Sequence, residues 1–354
     1  MNVSKLAFPR MTRRARLLAL AVPAVLVAAA VTACTPGGTS PDASSTNNAS
    51  GSDASGVNIV VIGGASDDSF FSSVKRGVDD AAKVVEANGG KVTYLALANY
   101  NNIGPDAAQL VKNALGQDPD LVAVPDWVPD AEEPAIQEVI DSGVPVIIYN
   151  SGGMEAAERT GALTYIGTDE YLAGVAGGEA LGEAGVTKNV CVNTVPGAQN
   201  LEDRCRGVAD GLAKSGGEST QLALAGSNYG NQTAVAQAIK AAIQQDPSVD
   251  GLVTVGGSDS AAALDALGQA NTDGKVKYVH FNVDMNTLNA IKDGVALAAI
   301  DQQPYPQGYY TVSAALQYVA FGIELPTKPI LTGPLVVNAD NVDLAISGTE
   351  AGVR

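Results

Sequence analysis

The run VNIVVIGG, Val57–Gly64, followed by ASDDSFF, Ala65–Phe71, sets the pattern on which the fold rests. The first run is apolar and rich in β-branched residues, it ends in two glycines, and a helical stretch is predicted from about Ser69 to Asn88. The same order of a short apolar strand and a longer helix repeats as far as about Ile300. Such alternation is typical of parallel sheets that are covered by helices on both faces.

The repeats define the predicted elements. Beyond the first pair, we predict strands at about 92–98, 121–124, 146–149, 164–167, 189–193, 220–225, 251–255, 277–281 and 296–300. The predicted helices cover about 107–116, 134–142, 171–185, 203–215, 232–245, 260–270 and 286–293. Roughly eleven strands are too many for one comfortable open sheet, and the chain of 354 residues is long enough for two cores, so we predict two α/β lobes.

The N-terminal segment is predicted to lie outside the fold. Five basic residues and no acidic one accompany an uncharged apolar run, Leu17–Val31, which is short for a membrane span. Small residues then lead to Cys34 in the order VTAC, which resembles the lipobox of bacterial lipoproteins. The resemblance implies a signal peptide over 1–33 and lipidation of Cys34; the alternative is an ordinary secretory signal with a chance cysteine. Residues 34–56 are rich in small and polar side chains, so we predict a flexible tether.

The charge of the chain limits its partners. The formal net charge is −17, and the part that follows the basic N-terminal segment is more acidic still. A strongly acidic surface repels phosphate backbones and anionic lipid headgroups. We therefore expect no nucleic-acid partner and no docking onto anionic lipid.

The sequence lacks the residue patterns that several kinds of chemistry require. No Gly-x-Gly-x-x-Gly follows the first strand, and no Walker loop is present, so a dinucleotide or nucleoside triphosphate enzyme is unsupported. No Gly-x-Ser-x-Gly elbow occurs, and the single histidine, His280, lies inside a predicted strand, where packing is the simpler explanation. The carboxylates are scattered one to a loop rather than clustered. We expect no enzyme activity, no metal site and no cofactor.

Polar side chains follow nearly every predicted strand, which is where open α/β sheets bind ligands. They are Asp68 with Phe70 and Phe71, Asp126 with Trp127, Asn150 with Ser151, Asn200 with Arg204, Asn228 with Tyr229, Ser258 with Asp259, Asn282 with Asp284, and Asp301 with Gln302 and Gln303. Amides and carboxylates interleaved with aromatic rings suit a ligand that is rich in hydroxyl groups and has flat C–H faces.

The stretch AAIDQQPYPQGYY, Ala298–Tyr310, together with these residues, resembles the periplasmic sugar-binding proteins of the ribose- and galactose-binding type, the solute receptors of bacterial ABC importers. The resemblance covers about 57–345. It implies a type I periplasmic-binding-protein fold, in which two doubly wound, Rossmann-like lobes are joined by a three-strand hinge. The implied crossings lie near 167–169, 301–303 and 332–334. The implied lobes are 57–168 plus 303–332, and 169–302 plus 333–354.

The resemblance also assigns ligand contacts, first in the N-terminal lobe. Asp68 takes the place of a side chain that bonds sugar hydroxyls, and Phe70 and Phe71 take the place of an aromatic pair that flanks the ring. The alternative for both phenylalanines is a core position. The sequence has Asn150 and Ser151 where the family often has Asp-Arg, and this departure puts any transfer of ribose specificity in doubt.

Further contacts are implied in the C-terminal lobe and the hinge. Arg204 falls on the arginine of the family's site, where a planar fork can bond two hydroxyls at once. The other positions implied to face the ligand are Asn200, Tyr229, Asp259, Asn282 and Gln302. Asp301 and Gln303 could contact the ligand, or their side chains could only form hydrogen bonds with the backbone of the crossing strand, and the two alternatives are equally open.

Two cysteines remain once Cys34 is set aside, Cys191 in a predicted strand and Cys205 near the start of the next helix. An exported chain permits disulfides, and the count of two is even. We favour a disulfide between them over two buried thiols. It would brace the loop that carries Asn200 and Arg204.

Together these inferences predict a monomeric receptor, lipid-anchored to the outer face of the cell membrane, that captures a simple sugar or polyol by hinge closure and passes it to an ABC permease. Two alternatives stay open: a sensor that feeds a signalling partner, and an exported carbohydrate-active enzyme. A regulator of the lac-repressor type is implied to share the fold, but this chain has a lipobox where such a regulator has its DNA-binding headpiece.

Overall fold

The computed structural model describes residues 56–270, 274–325 and 328–354. The signal peptide, Cys34 and all but the last residue of the tether, as predicted from the sequence, lie outside the described residues.

The first half of the described chain alternates strand and helix without exception. Its elements are β1 (Asn58–Gly63), α1 (Ser69–Ala87), β2 (Lys91–Ala96), α2 (Ile103–Leu115), β3 (Leu121–Val124), α3 (Pro129–Asp141), β4 (Val146–Asn150), α4 (Gly153–Thr160) and β5 (Tyr165–Thr168).

The second half repeats the pattern and adds a C-terminal extension. Its elements are α5 (Glu170–Glu183), β6 (Lys188–Asn193), α6 (Gln199–Ala213), β7 (Glu218–Ala223), α7 (Gln232–Gln245), β8 (Gly251–Thr254), α8 (Ser260–Gln269), β9 (Lys277–Phe281), α9 (Met285–Lys292), β10 (Ala298–Asp301), α10 (Pro304–Phe321), β11 (Ile330–Gly333), β12 (Leu335–Val337) and α11 (Val342–Glu350).

Within the described residues the strands form two six-stranded sheets, in the orders β11-β5-β4-β3-β1-β2 and β12-β10-β9-β8-β6-β7. All pairs are parallel except β10 with β12, which is antiparallel. We call the first sheet with its helices the first lobe and the second sheet with its helices the second lobe. The type I periplasmic-binding-protein fold predicted from the sequence is therefore confirmed.

The chain passes between the sheets three times. It leaves the first sheet after β5, returns after β10, where α10 packs against α1 of the first lobe, and crosses again between β11 and β12. Both sheets are fully buried in their central strands: every residue of β3, β4, β8 and β10 is buried. The near-continuous apolar runs of the sequence reflect this double coverage.

Several predicted boundaries were wrong. The helix predicted at 134–142 begins at Pro129, because Pro at the first helical position and two acidic residues in the first turn favour an earlier start. The strand predicted at 220–225 is β7, Glu218–Ala223. Three helices were not predicted: α4, α10 and α11.

Candidate functional site

A cavity lies between the two lobes, at the carboxyl ends of the strands, and side chains of both lobes line it. Eight of the ten ligand-binding residues predicted from the sequence line it: Asp68, Phe70, Phe71, Asn150, Asn200, Arg204, Tyr229 and Gln302. Ligand sites of proteins typically combine apolar and aromatic walls with a few placed polar groups, and this lining has both.

Asp68 presents a carboxylate to the cavity from the start of α1. It caps this helix, because the Phe70 backbone N–H donates a hydrogen bond to Oδ1 at 2.8 Å. The Tyr100 hydroxyl donates to Oδ2 at 2.6 Å. Burial raises the pKa of Asp68, and the hydrogen bond from Tyr100 opposes the rise. Each carboxylate oxygen can accept a second hydrogen bond, so Asp68 keeps acceptor capacity for a ligand hydroxyl.

Aromatic rings form the apolar walls. Phe70 and Phe71 both line the cavity, with ring centroids 5.3 Å apart in an edge-to-face arrangement. Trp127 packs edge-to-face on Phe71 at 5.7 Å, and Tyr229 contributes a ring from the second lobe. Both phenylalanines also belong to the buried core of the molecule, and their contact with a ligand stays a prediction.

Asn150 ends β4 in a left-handed backbone conformation, with φ of 63°. Its side chain is fixed on both sides. The Trp127 Nε1–H donates to Oδ1 at 3.2 Å, and Nδ2 donates to Gln307 Oε1 at 3.2 Å. A non-glycine residue is uncommon in this conformation and persists only where its surroundings hold it, as they do here.

Arg204 is a buried cation at the second-lobe side of the cavity, with 3% of its surface exposed. Its Nε donates to Glu170 Oε2 at 2.7 Å, Nη1 donates to the Val255 carbonyl at 2.8 Å, and Nη2 donates to Gln302 Oε1. Burial raises the pKa of Glu170, and the charge of Arg204 opposes the rise. A guanidinium has five N–H donors, so two remain for a ligand.

Gln302 joins the site to the crossings between the lobes. Its side chain lines the cavity and accepts from Arg204. Its backbone carbonyl accepts hydrogen bonds from Thr332 Oγ1 at 2.8 Å, Gln307 Nε2 at 3.1 Å and Thr168 Oγ1 at 3.4 Å. Thr168 ends β5 and Thr332 lies in β11, so residues of all three crossings meet at this one oxygen.

The two neighbours of Gln302 have structural partners. Asp301 accepts a hydrogen bond from the Gln303 backbone N–H and forms an ion pair with Arg354. Gln303 adopts a φ of 54° and precedes Pro304, the first residue of α10. Neither residue is among those that line the cavity.

Asp259 and Asn282 are not among the residues that line the cavity, but they lie beside Gly256 and Gly257, which do line it. A Cβ added at Gly256 would lie 2.4 Å from Asp259 Oδ2, and one added at Gly257 would lie 3.9 Å from Asn282 Nδ2. Asp259 instead accepts from Thr194 Oγ1 at 2.9 Å, and burial raises its pKa to about 7. Ligand contact by these two side chains stays a prediction.

Two amide oxygens near the cavity are unused. Oδ1 of Asn200 and Oδ1 of Asn282 are buried and have no hydrogen-bond partner among the described residues. Buried polar atoms are rarely left unpaired, because each costs about 1–3 kcal/mol. A ligand hydroxyl would satisfy the oxygen of Asn200, which lines the cavity.

Neither Tyr100 nor Trp127 is among the ligand contacts predicted from the sequence, although Trp127 is placed on a loop after a predicted strand. Both side chains line the cavity. Tyr100 follows β2 in the stretch Asn99-Tyr100-Asn101, which has the same mixture of amides and an aromatic ring as the other strand ends. That signal was available, but the strand end after β2 was not considered.

Cys191 of β6 and Cys205 of α6 are joined by a disulfide in the structure. Cys205 directly follows Arg204, so the bond ties the helix that carries this arginine to β6, which lies between β8 and the edge strand β7 in the second sheet.

His280 is not among the residues that line the cavity, and it is fully buried in β9. Its Nδ1 lies 2.7 Å from Thr254 Oγ1, and burial lowers the pKa of the ring. In the described parts of the chain, no group of three or more His, Cys, Asp or Glu side chains is arranged to hold a metal ion. No described helix is long and apolar enough to cross a membrane.

Comparison with known proteins agrees with this architecture. Residues 59–323 match the periplasmic binding protein domain, and the chain belongs to this family. A carbohydrate transporter from Acidothermus cellulolyticus, solved in complex with myo-inositol, is 29% identical, with 84% of this chain and 100% of that chain covered and a TM-score of 0.76.

Two further relatives are more distant. A solute-binding protein from Burkholderia graminis, solved in complex with D-arabinose, is 24% identical, with 82% of this chain and 97% of that chain covered and a TM-score of 0.70. A xylose/arabinose-binding protein from Sulfolobus acidocaldarius is 22% identical over 298 residues, which cover 80% of this chain and 71% of that protein.

Proposed function

We propose that this protein is an extracytoplasmic receptor that captures a simple sugar or polyol between its lobes by hinge closure and delivers it to an ABC permease. The observation that carries the proposal is the inter-lobe cavity, in which fixed polar groups alternate with aromatic walls. Each lobe supplies about half of the ligand contacts, and all of them form together only when the lobes close. A ligand that contacts both lobes therefore favours the closed state.

The available hydrogen-bonding groups suit a neutral ring that bears several hydroxyls. Asp68 and the Asn200 side chain offer acceptors, and Arg204 offers two unused N–H donors. Each hydroxyl can both donate and accept, so one ring can pair with all three. The similarity to a protein solved with myo-inositol supports a cyclic polyol as one candidate, and the relatives associated with arabinose and xylose support a pentose as another.

We propose that binding involves no covalent chemistry. Hydrolysis of a glycosidic bond generally needs two carboxyl groups on opposite sides of the bond. Of the described residues that line the cavity, Asp68 alone carries a carboxylate, and the lining holds no Ser, Cys or His. An unchanged sugar recovered after long incubation would agree with this proposal, and a released product would contradict it.

We also propose that the two moving bodies are separated by lobe boundaries after residues 168, 302 and 332. Cys34 carries the lipid that holds them near the membrane. Labelling of whole cells with a radioactive fatty acid tests the anchor. Incorporation into the full chain and none into the Cys34→Ser variant is expected, whereas equal incorporation would contradict the anchor.

The experiment that tests the function uses residues 35–354 and the single tryptophan of the chain, Trp127, whose indole lines the cavity. The protein is titrated with myo-inositol, other inositols, D-arabinose, D-xylose, D-glucose, D-galactose and linear sugar alcohols, with tryptophan fluorescence and thermal shift followed in parallel. A saturable change with one or two members is expected. Absence of any response in both measurements across the panel would overturn the proposal.

A further inference from the structure

Tyr100 lines the cavity and contacts site residues of both lobes. Its hydroxyl bonds Asp68 in the first lobe, and its ring packs edge-to-face on Tyr229 of the second lobe, with centroids 4.6 Å apart. The backbone is also close to the second lobe, because a Cβ added at Gly226 would lie 3.1 Å from the Tyr100 carbonyl oxygen. Tyr100 itself is 7% exposed.

The direction of the Asp68 bond is fixed by a third group. The Ala65 backbone N–H donates to the Tyr100 hydroxyl oxygen at 3.0 Å. A hydroxyl has one proton to give, so the Tyr100 proton is directed at Asp68 Oδ2, at 2.6 Å. The carboxylate therefore faces the cavity as an oriented, charge-assisted acceptor rather than as a donor.

We propose that Tyr100 is a positioning and gating residue, which orients the Asp68 carboxylate toward ligand hydroxyls through its own hydroxyl and closes the cavity against Tyr229 through its ring. This inference rests on the proposed function and deepens it. The hydroxyl and the ring have separable tasks, because the first acts within one lobe and the second acts between lobes.

The proposal predicts an effect on the protonation of Asp68. Burial raises the pKa of this carboxyl, and the hydrogen bond from Tyr100 lowers it. The other titratable groups that face Asp68 are Tyr94, Tyr229 and Asp259, of which the two tyrosines are neutral near neutral pH because burial raises their pKa values. Loss of the Tyr100 hydroxyl therefore raises the pKa of Asp68 and leaves the carboxyl protonated over a wider range of acidic pH.

The first part of the test needs no ligand. The Asp68 carboxyl is followed by carbon NMR in the chain labelled at aspartate, with Asp68→Asn used for assignment, in the unmodified protein, in Tyr100→Phe and in Tyr94→Phe. Tyr94 is a half-buried neighbour whose buried hydroxyl has no hydrogen-bond partner in the described part of the chain, so it is the matched control. A rise in the Asp68 pKa in Tyr100→Phe alone is expected. An unchanged value, or equal rises in both variants, would overturn the positioning role whether or not any sugar binds.

The second part uses myo-inositol and D-arabinose as probes and stopped-flow fluorescence of Trp127. Tyr100→Phe is expected to weaken binding at least fivefold at neutral pH and to shift the acid limb of the binding profile to higher pH. Tyr100→Ala also removes the gate, so its dissociation rate is expected to be at least tenfold faster than that of Tyr100→Phe. Equal dissociation rates would overturn the gating role. Failure of the unmodified protein to bind either probe counts against the proposed ligand class and leaves the NMR result to decide the positioning role.

Discussion

Arg204 shows how a single buried charge can serve both stability and recognition. A guanidinium with almost no solvent contact is costly unless it is paired, and here Glu170, the Val255 carbonyl and the Gln302 side chain supply the partners. The same three bonds hold the fork in one orientation. In the proposed ligand contact, the two remaining N–H donors of this fork are already held in place, which reduces the entropy lost on binding.

Arg204→Lys is expected to weaken ligand binding at least tenfold while the protein stays folded. A lysine keeps a positive charge beside Glu170, but its single ammonium cannot reproduce the planar fork that also reaches Val255 and Gln302. Titration calorimetry with the ligand found in the panel measures the change. Arg206→Lys is the control, because Arg206 lies on the same helix with its side chain 60% exposed and paired with Asp203.

Arg204→Ala is expected to behave differently, because it leaves Glu170 buried without its cation. Such a loss typically costs about 3–5 kcal/mol of stability.

If Arg204→Lys bound ligand as tightly as the Arg206→Lys control, the assigned role of the Arg204 guanidinium would be wrong.

At the scale of elements, glycines let paired helices approach each other closely in both lobes. In the second lobe, a Cβ added at Gly178 of α5 would lie 2.3 Å from the Val208 carbonyl oxygen of α6, and one added at Gly211 of α6 would lie 2.3 Å from the Val175 carbonyl oxygen of α5. In the first lobe, a Cβ added at Gly308 of α10 would likewise collide with a backbone carbonyl oxygen of α1, that of Val74. These contacts leave no space for a methyl group.

Gly178→Ala is expected to destabilise the protein by about 1–3 kcal/mol, because the added methyl forces α5 and α6 apart. The control is Gly268→Ala in α8, where a Cβ would meet nothing within 4 Å. There the better helix propensity of alanine is expected to stabilise by up to about 1 kcal/mol. Urea unfolding measures both. If both variants changed the free energy of unfolding in the same direction, close contact between α5 and α6 would not explain the glycine at position 178.

The elements that sequence patterns predicted are those whose periodicity is undisturbed. α10 was missed because its first turns read PYPQGYY, and two prolines and a glycine argue against a helix. The structure accommodates them: Pro304 is at the first helical position, and Gly308 is where α10 touches α1. Here tertiary packing outweighs local propensity.

The same limit applies to the site. The rule that ligands lie beyond strand ends found the correct edge of both sheets and eight residues that line the cavity. It could not show that Gly256 and Gly257 line the cavity while the neighbouring Asp259 and Asn282 do not, because that depends on the course of one loop. The identity of the residue facing a ligand is set by loop geometry, which strand patterns do not encode.

At the scale of the whole molecule, the hinge and the site share Gln302. Its side chain bonds Arg204 at the cavity, while its carbonyl collects hydrogen bonds from Thr168 and Thr332 on the other two crossings. A ligand that engages the Arg204 fork therefore acts one residue away from the point where the lobes are joined. These bonds are present in the structure, in which side chains of both lobes line one cavity.

Thr332→Val tests this coupling, because valine keeps the shape of the buried threonine and removes the hydrogen bond to the Gln302 carbonyl. A net hydrogen bond is worth about 0.5–1.5 kcal/mol, so affinity is expected to fall roughly two- to tenfold if the bond favours closure. The matched control is Thr311→Val in α10, whose buried hydroxyl has no partner in the described part of the chain and whose loss is expected to leave affinity unchanged. Calorimetry gives the affinities, and small-angle scattering with and without ligand gives the extent of closure. Equal affinities for the two variants would mean that the Thr332 bond is made equally in the open and closed states and that the hinge does not report ligand through Gln302.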